Sequence, residues 1–241
     1  MASSVFHFKK FSVAQEGATQ PVGTDAILLG AWADVRGVQR MLDIGTGAGV
    51  IALMLAQRLS EQAGADWQGT GVELHAPSAA LAGRNFRESP WAGRLTVHTG
   101  DIQTYAAQYG GPGFDLMVSN PPYFSGGLRS PVTSRSMGRH NDPLPPADLL
   151  QAAAGLLTAS GRFCAILPEK EALDLCERAV LRGLYWTRIT RVRGKPGKPV
   201  ERWLLQLERN PYPLETGTLV IEEPGGGYTG AYRALTEGFY R

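Results

Sequence analysis

Two rhythms of apolar residues alternate along this chain. Short runs at 40–44, 69–73, 95–98 and 114–119 are bounded by glycine, proline or polar residues and read as buried strands. Between them lie segments with the apolar content of helices packed on a sheet, such as Val50-Ile51-Ala52-Leu53-Met54-Leu55-Ala56. The pattern predicts further helices over 24–33, 77–86, 147–157 and 169–181, and a strand over 162–167. Strands over 185–192 and 202–207 flank a loop whose Gly and Pro residues keep the backbone open. Thr24 or Asp25 is placed to cap the first helix. Tyr228, Tyr232, Leu235 and Phe239 recur at helical spacing and predict a terminal helix docked on the body by its aromatic face. Strands alternating with helices predict an α/β fold with a parallel sheet covered on both faces.

Four β-rich runs close on a polar side chain: Asp43, Glu73, Asp101 and Asn120. In a parallel sheet such ends line up along one edge, where open α/β sheets bind ligands. Asp43 runs into Gly45-Thr46-Gly47-Ala48-Gly49, whose glycines permit a tight turn and close backbone approach to a ligand. The spacing is G-x-G-x-G, not the dinucleotide G-x-G-x-x-G. A carboxylate just before the turn suits a cationic amino-acid moiety better than a pyrophosphate. Glu73 is placed to accept both hydroxyls of a ribose. Asp101 is placed to accept from an adenine amino group, and Ile102 to cover that ring. In Asn120-Pro121-Pro122-Tyr123, the amide oxygen and the Pro121 carbonyl are both acceptors, suited to gripping a planar –NH2, and Tyr123 offers a face for stacking. Plainer readings stand beside these. The glycine cluster also fits an ordinary strand-to-helix turn or a nicotinamide site. Asn-Pro-Pro-Tyr also fits a turn, and Val22-Gly23-Thr24-Asp25 a helix cap.

Length and charge narrow the field only modestly. The 241 residues suit one domain: an N-terminal segment and helix (1–35), a core (36–210) with a basic hairpin near 188–202, and a C-terminal extension with a helix (211–241). A net charge of +2 does not announce a nucleic-acid binder, but the basic residues cluster. Arg191, Arg193, Lys195 and Lys198 sit in the hairpin. Arg129, Arg135, Arg139 and His140 sit in a long Gly/Ser/Pro-rich stretch. Lys9 and Lys10 sit among Phe6, Phe8 and Phe11, three rings that fit a core clamp better than a base platform. Cys164 and Cys176 lack a pairing motif, which fits a reduced cytoplasmic protein. No apolar run approaches the ~20 residues of a membrane span. The first residues lack the pattern of a secretory signal. No set of metal ligands is visible, so no metal is expected.

Asp43–Gly49 together with Asn120-Pro121-Pro122-Tyr123 resembles the S-adenosylmethionine-dependent methyltransferases that act on amino nitrogens. Val22–Trp32, Asn120–Phe124 and the ending Ala234-Leu235-Thr236-Glu237-Gly238-Phe239-Tyr240 are more narrowly similar to the bacterial tRNA(Val) adenine-N6-methyltransferases. The resemblance implies a doubly wound, mostly parallel seven-stranded sheet of the Rossmann-like class I type, with its last strand antiparallel. It implies S-adenosylmethionine as methyl donor, held by Thr24, Asp43, Gly45, Gly47, Gly49, Glu73, Asp101, Ile102 and Asn120. Asn120, Pro121, Pro122 and Tyr123 would carry the chemistry on the adenine 3′ of the anticodon. The partner implied is tRNA, its phosphates met by Lys9, Lys10, Arg129, Arg135, Arg139, Arg191, Arg193, Lys195 and Lys198, with a monomer favoured. Two other readings remain open: methylation of a protein glutamine amide, whose nitrogen is also planar, and RNA binding without catalysis.

Overall fold

In the computed structural model, which describes residues 5–18, 20–62, 66–122 and 144–240, the runs that read as strands pair into one twisted sheet. In chain order the elements are β1 (Val5–His7), β2 (Ser12–Ala14), α1 (Thr24–Trp32), β3 (Arg40–Ile44), α2 (Val50–Ser60), β4 (Gln68–Glu73), α3 (Ala76–Arg87) and β5 (Leu95–Thr99). There follow α4 (Ile102–Gln108), β6 (Phe114–Ser119), α5 (Pro146–Leu156), β7 (Leu157–Leu167), α6 (Glu169–Val180), β8 (Tyr185–Arg193), β9 (Arg202–Glu208), β10 (Glu215–Val220) and α7 (Gly230–Thr236). The sheet has the order β10-β8-β9-β7-β6-β3-β4-β5. Only β9 runs against the rest: it is antiparallel to both β7 and β8, and the other pairings are parallel. The seven strands expected from the sequence are therefore present, the antiparallel one among them. An eighth, β10, joins them from the C-terminal extension. β1 and β2 form a separate antiparallel ribbon.

Side-chain alternation along each strand sorts the core onto two faces. Met41, Leu116, Val118, Cys164, Ile166 and Val192 pack with α1, α2, α3 and α7. Leu42, Ile44, Met117, Phe163, Ala165, Leu167 and Ile189 pack with α5 and α6. This parity has a consequence for chemistry. Asp43 shares the parity of Met41, so its carboxylate points under α2 and not along the sheet edge.

Two local expectations are corrected. α1 begins after Gly23 without a side-chain cap, so neither Thr24 nor Asp25 caps it; Asp25 turns instead to Arg202, 2.9 Å away. The terminal helix covers only Gly230–Thr236, capped by Thr229, whose side chain accepts from the Tyr232 N–H. Tyr228 lies outside it and is exposed, whereas Tyr232 and Phe239 are buried. The N-terminal rings are core as expected: Phe8 stacks on Phe11 with centroids 4.4 Å apart and meets Phe239 edge-on. The Lys9 N–H donates to the Phe239 carbonyl, so both ends of the chain close together.

Candidate active site

The carboxyl ends of β3, β4 and β6 supply the site. After β3 the chain turns sharply through Gly45, Gly47 and Gly49, all with left-handed φ, and enters α2. Gly47 (φ 57°) is a position where any side chain is strained, and a Cβ there would meet open space, so the loop presents bare backbone. At Gly49 a Cβ would lie 2.5 Å from the Phe86 ring, so α3 could not pack as it does. The loop is tied to β4 at two levels. The Gly45 N–H donates to the Val72 carbonyl at 2.8 Å, and the Gly47 N–H donates to Glu73 Oε2 at 2.9 Å. Glu73 Oε1 accepts from the His75 N–H at 2.8 Å. Glu73 thus braces the glycine loop, each carboxylate oxygen keeping further lone pairs for a ligand.

Asp43 is buried. Its Oδ2 accepts from Thr46 Oγ1 at 2.6 Å and from the Ala52 N–H at 3.2 Å. Its Oδ1 is buried without a hydrogen-bond partner among the described residues. Burial pushes its pKa up to about 7; the two hydrogen bonds oppose that rise and the Glu73 charge adds to it. Asp101 caps α4, with Oδ1 accepting from the Thr104 N–H (2.8 Å) and Oδ2 from Thr104 Oγ1 (2.6 Å). These bonds hold its carboxyl below the usual carboxylate range. Ile102, one residue on, is buried.

One cavity of about 290 Å³ joins the glycine loop to the end of β6. Its walls include Thr46, Gly47, Asn120, Pro121 and Pro122, with the segment 20–26 that leads into α1. The sequence places Asn120 and the glycine loop on one edge, and the structure puts both in the lining of one space. Asp43, Glu73, Asp101 and Ile102 lie outside that lining. Asp43 sits beneath the loop, and the other three lie at the ends of β4 and β5 along the same edge. Gln20 and Pro21 also wall the cavity without having been singled out in the sequence. They precede Val22, whose N–H donates to Gln15 Oε1 at 2.6 Å, and a polar–proline pair before a helix carries no signal beyond that of a loop. A larger depression of about 560 Å³ between β2 and α3 has neither the glycine loop nor the Asn-Pro-Pro wall, so size alone does not pick the site.

The basic residues fare unevenly. Lys10 pairs with Glu61 at 2.8 Å, just past the end of α2 opposite the glycine loop, about 16 Å from the crevice at helical rise. Lys9 Nζ donates to the Glu237 carbonyl beyond α7. Lys9 therefore ties the two chain ends together, and Lys10 ties the N-terminal segment to the far end of α2. The hairpin is better placed. β8 runs parallel to β7, so the β8–β9 loop stands on the edge where the site opens. Within it Arg191 lies over the Trp203 ring at 4.9 Å, Arg193 donates to the Lys198 carbonyl, and Lys195 pairs with Glu222 at 3.3 Å. Tyr123, Arg129, Arg135, Arg139 and His140 fall outside the described residues.

A doubly wound sheet with one reversed strand, and a G-x-G-x-G turn sharing a cavity with an Asn-Pro-Pro segment, define an S-adenosylmethionine-dependent methyltransferase of class I. Solved structures agree on the fold. A predicted O-methyltransferase from Agrobacterium tumefaciens superposes with a TM-score of 0.65 at 23% identity, over 89% of this chain and 96% of that one. A TehB-like SAM-dependent methyltransferase from Corynebacterium glutamicum gives 0.52 at 20% identity, over 81% and 92%. The model of the methyltransferase small domain matches residues 23–144. A tRNA1(Val) (adenine(37)-N6)-methyltransferase from Tolumonas auensis is 40% identical over 240 residues, covering 100% of this chain and 98% of the relative. One of the same name from Escherichia coli strain SE11 is 42% identical over 235 residues, covering 98% and 94%. The chain belongs to the tRNA1(Val) (adenine(37)-N6)-methyltransferase family.

Proposed function

We infer that this chain transfers a methyl group from S-adenosylmethionine to the exocyclic N6 of an adenine in tRNA, adenine 37 of tRNA1(Val). The observation that carries this reading is the cavity lined by both the glycine loop and Asn120-Pro121-Pro122. The donor fits the residues present. Bare backbone at Gly45 and Gly47 faces open space, and the buried Asp43 carboxyl below the loop, once ionised, favours a cationic group above it. When bound, the donor supplies an activated methyl group on a sulfonium.

The chain's own task is the acceptor. An adenine amino nitrogen shares its lone pair with the ring and is a poor nucleophile. Asn120 Oδ1 and the Pro121 carbonyl are the acceptors for its two hydrogens. Gripping them out of the ring plane favours a pyramidal nitrogen and grows stronger as positive charge develops there. The rest is alignment of two substrates. Splaying out an anticodon-loop base costs less than extracting a paired one. The hairpin cations are the described groups best placed for flanking phosphates. A cytoplasmic monomer fits this task, and no described helix is long and apolar enough to cross a membrane.

The test is incubation with methyl-labelled donor and either unmodified valine tRNA or a release-factor protein, followed by nucleoside analysis. Label in N6-methyladenosine at position 37 is expected. Label in protein alone would replace this reading with glutamine methylation.

A further inference from the structure

An exposed aromatic ring stands beside the basic hairpin on the edge where the cavity opens. Tyr228 is 47% exposed, although its spacing from Tyr232 suggests a core position. Its ring leans on buried Tyr232, with centroids 4.7 Å apart and planes at 39°, so it is anchored on one side and open to solvent on the other. Tyr228 pairs with Glu222 across an antiparallel bridge closed by the turn at 223–227. Glu223 N–H to Gly227 carbonyl and Thr229 N–H to Ile221 carbonyl, both 2.9 Å, hold this ribbon. Residues opposed in an antiparallel pair project to the same face. The Tyr228 ring therefore sits beside the Glu222 carboxylate, which holds the Lys195 ammonium at 3.3 Å.

The ribbon is stitched to the root of the hairpin. The Ile221 N–H donates to the Arg193 carbonyl at 3.0 Å, and the Glu222 N–H to the Gly194 carbonyl at 2.9 Å. Arg202, Val192 and Leu219 stand in register across β9, β8 and β10. Two strand spacings, about 10 Å, thus separate Arg202 from the strand that feeds the ribbon. Arg202 itself holds Asp25, part of the cavity wall, at 2.9 Å. A base in the cavity could not touch Tyr228, but a nucleotide next to it in the strand could.

We propose that Tyr228 and Lys195 form a station for an unpaired nucleotide flanking the target adenine: its base stacks on the exposed phenol face and its phosphate takes Lys195. The proposal rests on the reading of the chain as a tRNA methyltransferase. An aromatic face is sequence-tolerant, because every base has a π-face, and a neighbouring ammonium supplies the phosphate contact such platforms use. Glu222 and Glu223 are the opposing charges. The Lys195–Glu222 pair is about half exposed on both sides, so it is weak and exchangeable for a phosphate.

The test measures binding of unmodified valine tRNA across a salt series for Tyr228→Ala, Tyr228→Phe and Lys195→Gln, with donor affinity and melting temperature alongside. Tyr228→Ala is expected to weaken tRNA binding about tenfold with its salt slope unchanged, and Tyr228→Phe to stay within about twofold. Lys195→Gln is expected to lower the slope of log affinity against log salt by about one. Donor affinity stays the same in all three. Wild-type tRNA affinity in Tyr228→Ala overturns the station. So does an equal loss of donor affinity and melting temperature, which would make the ring only structural. Impaired methylation of a protein acceptor with tRNA binding intact would assign the ring to a different partner and also overturn it. Absence of label in tRNA with the wild-type chain would instead sink the parent reading, whereas label with Tyr228→Ala unimpaired sinks the station alone.

Discussion

The two walls of the cavity are built by different means. The glycine-loop wall is fixed by backbone and buried groups: Glu73 on the Gly47 N–H, Val72 on the Gly45 N–H, and Asp43 under Thr46 and Ala52. The segment of the lining that enters α1 is held instead by a partly exposed contact, Asp25–Arg202, whose side chains are 24% and 32% exposed. Beyond it stand the hairpin pairs, more exposed still. A small, invariant donor rewards a rigid mould, since a preorganised site spends no energy on ordering. A flexible RNA loop is better met by cations in weak pairs that can change partners at little cost.

That division of labour is open to attack, most strongly at Asn120. Asn120→Ala is expected to lower methyl transfer to tRNA by on the order of 10²–10³-fold, the scale of removing one electrostatic contact to a developing charge. Donor affinity by calorimetry should barely change, and a parallel loss would merge the two walls into one function. Glu73→Ala should do the reverse. Losing the brace on Gly47 should weaken the donor by roughly tenfold or more while tRNA affinity holds, at the cost of a charge-assisted hydrogen bond. Unaltered donor affinity would remove Glu73 from that wall.

Asp43 sharpens the comparison through pH. Its carboxyl is raised from 3.8 to about 7 in the folded chain, so the native state holds a proton that the unfolded state releases. Its contribution to stability is full below about pH 4 and falls away as pH rises to about 7. The same group should bind a cationic ligand better once deprotonated, so donor affinity is expected to rise severalfold through pH 7 and then level off. Asp43→Asn should flatten both profiles in thermal melts and donor titrations; a slope that survives belongs to another group. The smallest effect is expected at the hairpin. Reversing Arg193 and Lys195 should cost severalfold in tRNA affinity and reduce its salt dependence. An unmoved slope would place the RNA elsewhere.

The sequence made much of this plan legible because burial writes itself in apolar runs. β3, β4, β5 and β6 show as such runs, and their polar terminal residues mark the edge on which the cavity lies. β10 was not legible. Its residues Glu215-Thr216-Gly217-Thr218 are exposed on a sheet edge, so no apolar run was required of them. The direction of Asp43 was also missed, although it follows from counting in twos along a strand with Met41 inside. Tyr228 shows the converse failure. It keeps the spacing of a helix face, but the helix starts two residues later, and periodicity cannot see where the first turn begins. Local composition also could not say that Lys9 and Lys10 would meet Glu237 and Glu61, because those partners are brought near only by the fold.

The reversal of β9 has a further consequence. A parallel strand at that position would need a crossover of a dozen or more residues to return to the sheet. Running backwards, β9 meets β8 through an eight-residue span, 194–201, on the sheet edge that also carries the glycine loop. Lengthening such a surface turn costs little, about 0.6 kcal/mol for each doubling. The fold thus carries, on the same edge as the glycine loop, a turn whose length and charge can change while the strands of the sheet stay as they are.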